Sequence, residues 1–245
     1  ALAVVWDGTG YGTDGTIWGG EFFVCRPGQV HRFGRLRPFA LRGGEAAVRE
    51  GRRSALGVLT AMALEPHPGW TATAFDQGEL RLIGNQVASA QRTSSAGRLF
   101  DAAASLCAGL HRSRYEGECA MRFEALATGV PSDGPQCRLI KAEGLYEIDW
   151  SSAVRWAMDS PSPQIASERF HAAMADLIVA VAAEAGLQTV ALTGGCFQNK
   201  LLAELAAARL ASAGHRVLMH RVVPPNDGGL AFGQLSALAF GWNED

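Results

Sequence analysis

The run Asp7-Gly8-Thr9-Gly10-Tyr11-Gly12 places an acid and three glycines directly after the apolar segment 1–6. Glycines in such a run let backbone N–H groups approach an anion closely, and an Asp at a strand end can hold a metal ion or orient water. A hairpin with a turn-forming Asp explains the same pattern equally well. Both interpretations stay open on the pattern alone.

A second glycine turn, Thr193-Gly194-Gly195, joins a short apolar segment to a helix-like one. Unpaired N–H groups and the helix dipole at such a junction favour phosphate. Asn199 is expected about one turn into that helix, where its amide can bond to a nucleoside. An ordinary turn with an exposed Asn199 is the alternative. We favour the ligand loop, because the turn is expected at the carboxyl edge of the sheet.

Two further acids stand beside small residues. Asp101 precedes three alanines that leave room for a ligand, and its carboxylate can accept from both hydroxyls of a ribose. Gly117 permits a flat purine to lie against the backbone. Taken alone, Asp101 is better interpreted as facing solvent. Asp227 can join Asp7 as an oxygen ligand of one metal ion, although an Asx turn that caps the last helix explains it about as well.

The elements that must position these residues follow an α/β pattern. Strand, glycine turn, helix and strand in succession are typical of a parallel sheet. We predict strands at 1–6, 16–25, 146–150, 189–192 and 216–220, an ordered loop at 26–44, and helices at 46–64, 96–110, after 117, along 170–185, at 197–213 and at 230–240.

Composition excludes several classes of protein. The net charge of the 245 residues is −2 and no run of Lys and Arg occurs, which argues against nucleic acid or an anionic membrane as partner. The longest apolar stretch, 177–185, falls far short of the roughly 20 residues of a membrane span. No Walker lysine motif, GxSxG elbow or HExxH motif occurs.

The five cysteines are odd in number and form no CxxC pair. This usage predicts reduced thiols in a cytoplasmic protein. Cys196 lies beside the second glycine turn, but no histidine is near it in sequence. We therefore expect a buried or ligand-adjacent thiol there rather than a nucleophile.

Six segments, in order along nearly the whole chain, resemble one family, the carbamoyltransferases of the HypF type. They are DGTGYGTDGTIWGGEF (7–22), RLRPFALRGGEAAVRE (35–50), TSSAGRLFDAAASL (93–106), YEGECA (115–120), LTGGCFQNKLL (192–202) and HRVVPPNDGGLAFGQ (220–234). Six collinear segments are a much stronger signal than any single glycine loop.

The resemblance implies an α/β fold of the actin- and Hsp70-like (ASKHA) ATPase class, related to the TsaD threonylcarbamoyl transferases and to antibiotic O-carbamoyltransferases. On this basis residues 1–245 form a TsaD-like carbamoyltransferase domain. The chain is expected to hold mostly the second lobe, without the N-terminal part of the first. Residues 1–225 are then mostly the nucleotide-binding lobe, and 226–245 a helix returning toward the other lobe.

The resemblance also implies a reaction. A carbamoyl-adenylate, made from carbamoyl phosphate and ATP by an upstream HypF domain, passes its carbamoyl group to the C-terminal cysteine of the partner HypE, which leads to the cyanide ligands of nickel–iron hydrogenase. Asp7 and Asp227 match the catalytic, metal-binding acids for a divalent ion (zinc, iron or magnesium). The nucleotide-binding positions are Gly8, Thr9, Gly10 and Gly12 of the phosphate loop, Asp101, Gly117 and Asn199 at the nucleoside, and Gly194 and Gly195 in the second turn.

The sequence departs from the family in one respect that matters. The family's paired metal histidines, and its acylphosphatase, zinc-finger and adenylate-forming domains, precede the point where this sequence begins. We therefore expect a fragment that binds metal weakly and does not turn over alone. Two alternatives stay open: an O-carbamoyltransferase acting on a small-molecule hydroxyl, and a non-catalytic nucleotide-binding scaffold.

Overall fold

A computed structural model of the chain describes residues 1–84, 90–129, 131, 134–142 and 144–240. Its strands are β1 (Leu2–Tyr11), β2 (Ile17–Arg26), β3 (Gln29–Leu36), β4 (Phe39–Leu41), β5 (Gln91–Thr93), β6 (Arg138–Ala142), β7 (Leu145–Asp149), β8 (Thr189–Thr193) and β9 (Arg216–Met219). Its helices are α1 (Ala46–Arg49), α2 (Gly51–Ala61), α3 (Pro68–Ala74), α4 (Gln77–Gly84), α5 (Ala96–Ala108), α6 (Glu118–Glu124), α7 (Ser151–Met158), α8 (Pro163–Ala185), α9 (Lys200–Ser212) and α10 (Leu230–Ala239). This mixture confirms the α/β class.

The strands form one mixed sheet in the order β6-β7-β3-β2-β1-β8-β9, with β5 joining β2 and β4 joining β5. β1, β8 and β9 are parallel, as predicted, but β1, β2 and β3 pair antiparallel. The parallel pattern predicted from the last third of the chain thus holds for β8 and β9 beside β1, and it does not extend to β2 and β3. The cause is local: Gly15 and Gly28 adopt positive φ angles of 77° and 70°, which suit tight reversals between neighbouring strands.

The loop predicted over 26–44 is also wrong, because this segment forms β3, β4 and the turns around them. Charged side chains of β3 find partners across the sheet. The Arg32 Nε atom donates to Glu21 Oε2 at 2.7 Å, and Arg35 Nη2 lies 3.0 Å from Glu147 Oε2. These pairings allow an arginine-rich strand to lie inside a sheet.

The core lies between one face of the sheet and the helices α5 and α8. Leu2, Val4 and Trp6 alternate along β1 and are fully buried, as period-two geometry requires. α8 is buried along much of its length, and Gly186, in the left-handed conformation, ends it as predicted. Burial of this kind stabilises the fold by about 2 kcal/mol per large apolar side chain.

Helix boundaries differ from the predictions where caps decide them. The helix predicted over 46–64 is two helices, because Glu50 has non-helical backbone angles, φ −120° and ψ 85°, between α1 and α2. The helix predicted over 197–213 begins only at Lys200, because 195–198 forms a 3-10 turn. The start of α5 at Ala96 is as predicted, and Ser95 caps it, its Oγ atom accepting from Arg98 N at 3.0 Å.

The last helix, α10, differs from the others in that none of its residues is buried. Phe232 and Leu235 are 61% and 67% exposed. Residues 241–245 of the predicted returning helix lie outside the described residues, and the division at residue 225 stays a prediction. In the part of the chain that the structure describes, no helix is long and apolar enough to cross a membrane.

Candidate functional site

A cleft with a volume of about 550 Å³ opens where β1, α5, α6 and the turns after β8 and β9 meet. Seven of the residues predicted to form a site line it: Asp7, Gly8, Asp101, Gly117, Gly195, Asn199 and Asp227. Residues up to 220 positions apart in sequence therefore share one surface (Asp227 minus Asp7). Thr9, Gly10, Gly12 and Gly194 do not line this cleft.

Close backbone contacts hold the first wall. The Ser95 Oγ atom donates to the carbonyl oxygen of Asp7 at 2.9 Å. A Cβ atom added to Gly97 would lie 2.8 Å from the Gly8 Cα atom. The start of α5 is therefore packed directly against the backbone of β1 at the two residues that enter the cleft.

The opposite wall is the turn after β8. Gly194 has a φ of 99°, and its N–H donates to the Pro225 carbonyl at 3.0 Å. The Phe197 ring stacks on Trp6, with centroids 5.9 Å apart. These contacts give Gly194 a structural reason of its own, because it joins the second glycine turn to the turn that carries Asp227.

A loop was predicted for the glycine run after Asp7, but residues 8–11 of this run form the second half of β1. Pairing with β2 shifts register between Trp6 and Gly10, and the chain reverses only at 12–16. Antiparallel pairing with β2 resumes at Gly10 and Tyr11, which pair with Trp18 and Ile17, whereas the register has no partner for residues 7–9. The phosphate role of Gly8, Thr9, Gly10 and Gly12 stays a prediction.

Asp101 is 2% exposed, so the interpretation that it faces bulk solvent is wrong. Its Oδ2 atom lies 2.9 Å from Arg98 Nη2, one turn earlier on α5. The pKa of Asp101 is raised above its usual value. Burial is the largest cause and Glu116 adds to it, while Arg98 opposes them. The cleft thus contains a buried ion pair whose carboxylate also meets the cavity.

The two predicted metal-binding acids enter the cleft from different elements. Asp7 Oδ1 accepts from the N–H of Gly8 at 2.7 Å. At the other turn, Asn226 rather than Asp227 supplies the Asx cap, accepting from Gly228 N at 3.0 Å. Among the residues that the structure describes, no group of three or more His, Cys, Asp or Glu is arranged to hold a metal ion.

Asn199 was predicted to lie about one turn into the helix, but it is the N-cap residue of α9. Its Oδ1 atom accepts from Leu202 N at 2.9 Å, while Glu124 Oε1 accepts from Leu201 N at 3.0 Å. Two of the amides that were expected to bind phosphate are thus already paired. Gly195 and Cys196 line the cleft at the start of the 3-10 turn. Their backbone N–H groups have no acceptor within that turn, as at any helix start.

The Cys196 thiol is a poor nucleophile in this setting. Burial raises its pKa, and Asp7 raises it further. A thiol with a raised pKa carries little thiolate at neutral pH. This burial agrees with the prediction of a buried or ligand-adjacent thiol rather than a nucleophile, and all five cysteines are free.

The sequence analysis missed three charged residues of the cleft: Arg98, Glu116 and Glu124. With them, the described lining carries five carboxylates, those of Asp7, Asp101, Glu116, Glu124 and Asp227, against the one guanidinium of Arg98. The spacing of Arg98 and Asp101, one helical turn apart, was the signal available for the first. A cleft so acidic repels a bare phosphate and attracts a cation.

A second depression, of about 540 Å³, lies beside Arg52 and His111. Its charges satisfy one another: Arg52 Nη2 lies 2.8 Å from both Glu50 and Glu79, and Arg112 lies 3.0 Å from Glu79. Such a network stabilises the packing of α2 against α4, and it leaves fewer unpaired charged groups with which a ligand could interact. The cleft at Asp7 is the better candidate.

Comparisons with known sequences identify the family of the chain. The family model described as "Carbamoyltransferase, Kae1-like Domain, second subdomain" matches residues 3–234. The chain is 32% identical to the carbamoyltransferase HypF of a Synechocystis species over 96% of its length, and 39% identical to that of Rhodobacter capsulatus over 94%. It spans 34% and 31% of those two proteins, about a third of each.

Solved structures give the same result. The chain matches a full-length HypF crystallised in a phosphate- and nucleotide-bound form, with a TM-score of 0.83 and 30% identity over 98% of this chain and 33% of that one. The T. kodakarensis HypF matches with a TM-score of 0.78 and 26% identity, again over 98% of this chain and 34% of that one. The chain therefore belongs to the Kae1-like carbamoyltransferase domain family of the HypF proteins, in its second subdomain.

Proposed function

We propose that this chain forms the site at which a carbamoyl group leaves carbamoyl-adenylate for the C-terminal cysteine thiol of HypE, in the synthesis of cyanide ligands for nickel–iron hydrogenase. One observation carries the proposal: Asp7, Asp101, Asn199 and Asp227 line a single cleft. The family match and the nucleotide-bound relative support it. The cleft would belong to one lobe of an actin- and Hsp70-like ATPase fold.

Each wall of the cleft has a role in this proposal. Asp101 accepts from the ribose hydroxyls, while Asn199 bonds to the nucleoside. Gly117, whose φ of 75° is one that glycine adopts readily, leaves its face open to a purine. Gly8 and Gly195 let phosphate oxygens approach the backbone, with Thr9, Gly10, Gly12 and Gly194 shaping the two glycine turns.

The charge of the cleft implies a divalent cation beside the phosphate. Asp7 and Asp227 fit that ion as oxygen ligands, the donors that hard cations such as magnesium prefer. Such an ion would offset the carboxylates and polarise the carbamoyl carbonyl. Asp7 and Asp227 would hold the ion, and the amide of Gly195 would donate to a phosphate oxygen.

The proposed transfer is a single nucleophilic acyl transfer from the adenylate to the thiol. The thiolate sulfur of the acceptor attacks the carbamoyl carbon, and a C–S bond forms as the C–O bond to the adenylate phosphate breaks. AMP leaves with the electron pair, and the thiol proton passes to water. The cleft contributes by orienting the adenylate and by stabilising charge on the carbonyl oxygen.

The test combines the chain with HypE, carbamoyl phosphate, ATP and the upstream region of a HypF relative, which carries the adenylate-forming domain and the paired metal histidines. Mass spectrometry should find one added carbamoyl group on the C-terminal HypE cysteine. Asp227→Asn should reduce the rate at least about a hundredfold, since it removes one of two cation ligands. The matched control is Asp159→Asn, at an exposed acid directly after α7, and it should not change the rate. Equal rates in both variants, or no transfer by the wild type, would contradict the proposal.

The two rival functions give other outcomes in the same assay. An O-carbamoyltransferase acting on a small-molecule hydroxyl would label an added alcohol and leave HypE unmodified. A non-catalytic scaffold would bind the nucleotide without moving the carbamoyl group. The expected result is label on the thiol alone.

A further inference from the structure

A buried histidine stands directly behind Asn199. His171 lies on α8 and is fully buried, outside the lining of the cleft. Its Nε2 atom is 2.9 Å from Asn199 Nδ2, and its Nδ1 atom is 2.8 Å from the carbonyl oxygen of Ser167. Both ring nitrogens are therefore engaged, one with α8 itself and one with a residue of the cleft.

The partners fix the direction of each hydrogen bond. A carbonyl oxygen only accepts, so the imidazole proton lies on Nδ1, and Nε2 is left to accept from the Asn199 amide. On the far side, Leu202 N–H donates to Asn199 Oδ1 at 2.9 Å. The two bonds agree on the same amide orientation, with the oxygen toward α9 and the nitrogen toward His171.

The surroundings keep this histidine neutral. The rings of Phe100, Phe123 and Phe170 lie within 5.2, 5.8 and 6.4 Å of its own ring. Burial lowers the pKa of His171 to about 4, although the bond to Ser167 opposes this. A protonated ring would present N–H groups on both sides and lose Asn199 as a donor.

We propose that His171 is a positioning residue for nucleotide recognition and acts through Asn199. By taking one Nδ2 hydrogen it leaves the other for an acceptor of the ligand, a ribose oxygen or a ring nitrogen of the base. This inference rests on the proposed function, since it requires that the cleft take a nucleotide. It assigns a role to a residue that contacts no ligand.

A double-mutant cycle on the 245-residue chain tests the coupling, with the affinity for ADP measured by calorimetry in the presence of magnesium. His171→Phe keeps an aromatic ring but removes the acceptor. Asn199→Asp keeps the cap on Leu202 N and removes the donor. Each should weaken ADP binding by about tenfold, the scale of one hydrogen bond to a ligand. The double variant should bind no more weakly than the weaker single one.

Controls separate positioning from general stability. His171→Gln, which keeps an acceptor, should recover part of the affinity. His215→Phe is the matched control and should leave the affinity unchanged. His215 does not line the cleft, and its Nδ1 atom lies 3.0 Å from the Leu187 carbonyl oxygen. Wild-type chain that binds no ADP would contradict the proposed function and this inference together. Two results would overturn this inference alone, provided that the wild-type chain binds ADP. One is an unchanged ADP affinity in His171→Phe, and the other is additive losses of affinity in the double variant.

A spectroscopic readout needs neither variant nor ligand. Nitrogen NMR of the imidazole at neutral pH should show the neutral tautomer with its proton on Nδ1. A ring protonated on Nε2 instead would leave Asn199 Nδ2 facing another donor. That result would overturn the positioning role whatever the ADP titrations show.

Discussion

At the scale of single residues, the cleft depends on how little space its glycines occupy. Gly195 faces Asp7 so closely that an added Cβ atom would lie 2.9 Å from Asp7 Oδ1. Its φ is not positive, so the backbone itself would accept a side chain. The constraint at this position is thus room for the acid, whereas at Gly117 it is the backbone conformation.

Gly195→Ala should therefore displace the Asp7 carboxylate while leaving the fold intact. We expect nucleotide affinity in the presence of magnesium to fall about tenfold or more, because one cation ligand is moved. Calorimetric titration beside a thermal melt measures both effects. Gly233→Ala on α10, where an added Cβ atom meets nothing within 4 Å, is the control and should bind normally. Unchanged affinity in Gly195→Ala would show that Asp7 takes no part.

The residues that could be predicted share one property. Asp7 and Asp227 are acids beside glycines, a pairing that stands out in a sequence, whereas Asp101 was assigned to the site only by the family resemblance. His171 could not be found this way, because it lies in an apolar helical stripe and resembles any core residue. Its partner, Asn199, is 28 positions away, and only the packing of α8 against α9 brings them together.

At the scale of elements, one serine joins the sheet to the cleft helix. The Ser95 Oγ atom caps α5 and also donates to the Asp7 carbonyl. Ser162 caps α8 in the ordinary way, accepting from Ile165 N at 3.3 Å. The two serines thus serve the same local purpose, but only Ser95 touches a wall of the cleft.

Ser95→Ala and Ser162→Ala should each lower the free energy of unfolding by about 1 kcal/mol, the usual worth of an N-cap. Only Ser95→Ala should also weaken nucleotide binding, because it releases the backbone of β1 from α5. Urea denaturation gives the first quantity and calorimetry the second. An equal loss of affinity in both variants would mean that the effect is general destabilisation.

Elements with strong local signals were predictable, and those that depend on distant partners were not. The reversal at Gly15 between β1 and β2 and the end of α8 at Gly186 follow from glycine geometry within a few residues. The strand β3 was missed because Arg32 and Arg35 suggest a solvated loop. Their partners Glu21 and Glu147 come from other strands, which no local pattern reveals.

At the scale of the whole molecule, the buried histidine couples stability to pH. The pKa of His171 is about 4 in the folded chain and 6.5 when unperturbed. Below about pH 6.5 the unfolded chain takes up the proton first, so stability falls as the pH drops toward 4.

Wild-type chain should therefore lose about 2 kcal/mol more than His171→Phe between about pH 7.5 and pH 5, from this group alone. Urea denaturation at both pH values measures the difference. Acids whose pKa is lowered in the fold, such as Glu50, add the same dependence to both proteins and cancel in the comparison. Parallel pH profiles of the two proteins would show that His171 is not held neutral.

The apolar surface of α10 is a second property of the whole chain. Exposed patches of this kind bind hydrophobic dyes and promote association. Changing both Phe232 and Leu235 to serine should lower the fluorescence of a bound dye and reduce light scattering. Leu82→Ser, at an equally exposed leucine on α4, is the control and should change neither. An unchanged dye signal in the double variant would place the binding surface elsewhere.

The account depends most on whether the cleft at Asp7 takes a nucleotide. The five methionines allow a direct test by carbon NMR of labelled methyl groups, because Met121 lines the cleft and Met158 lies on α7 outside its lining. On titration with ADP and magnesium, we predict a saturable shift of the Met121 methyl signal and none of Met158. A Met121 signal that stays in place, or a shift confined to Met158, would contradict the nucleotide site.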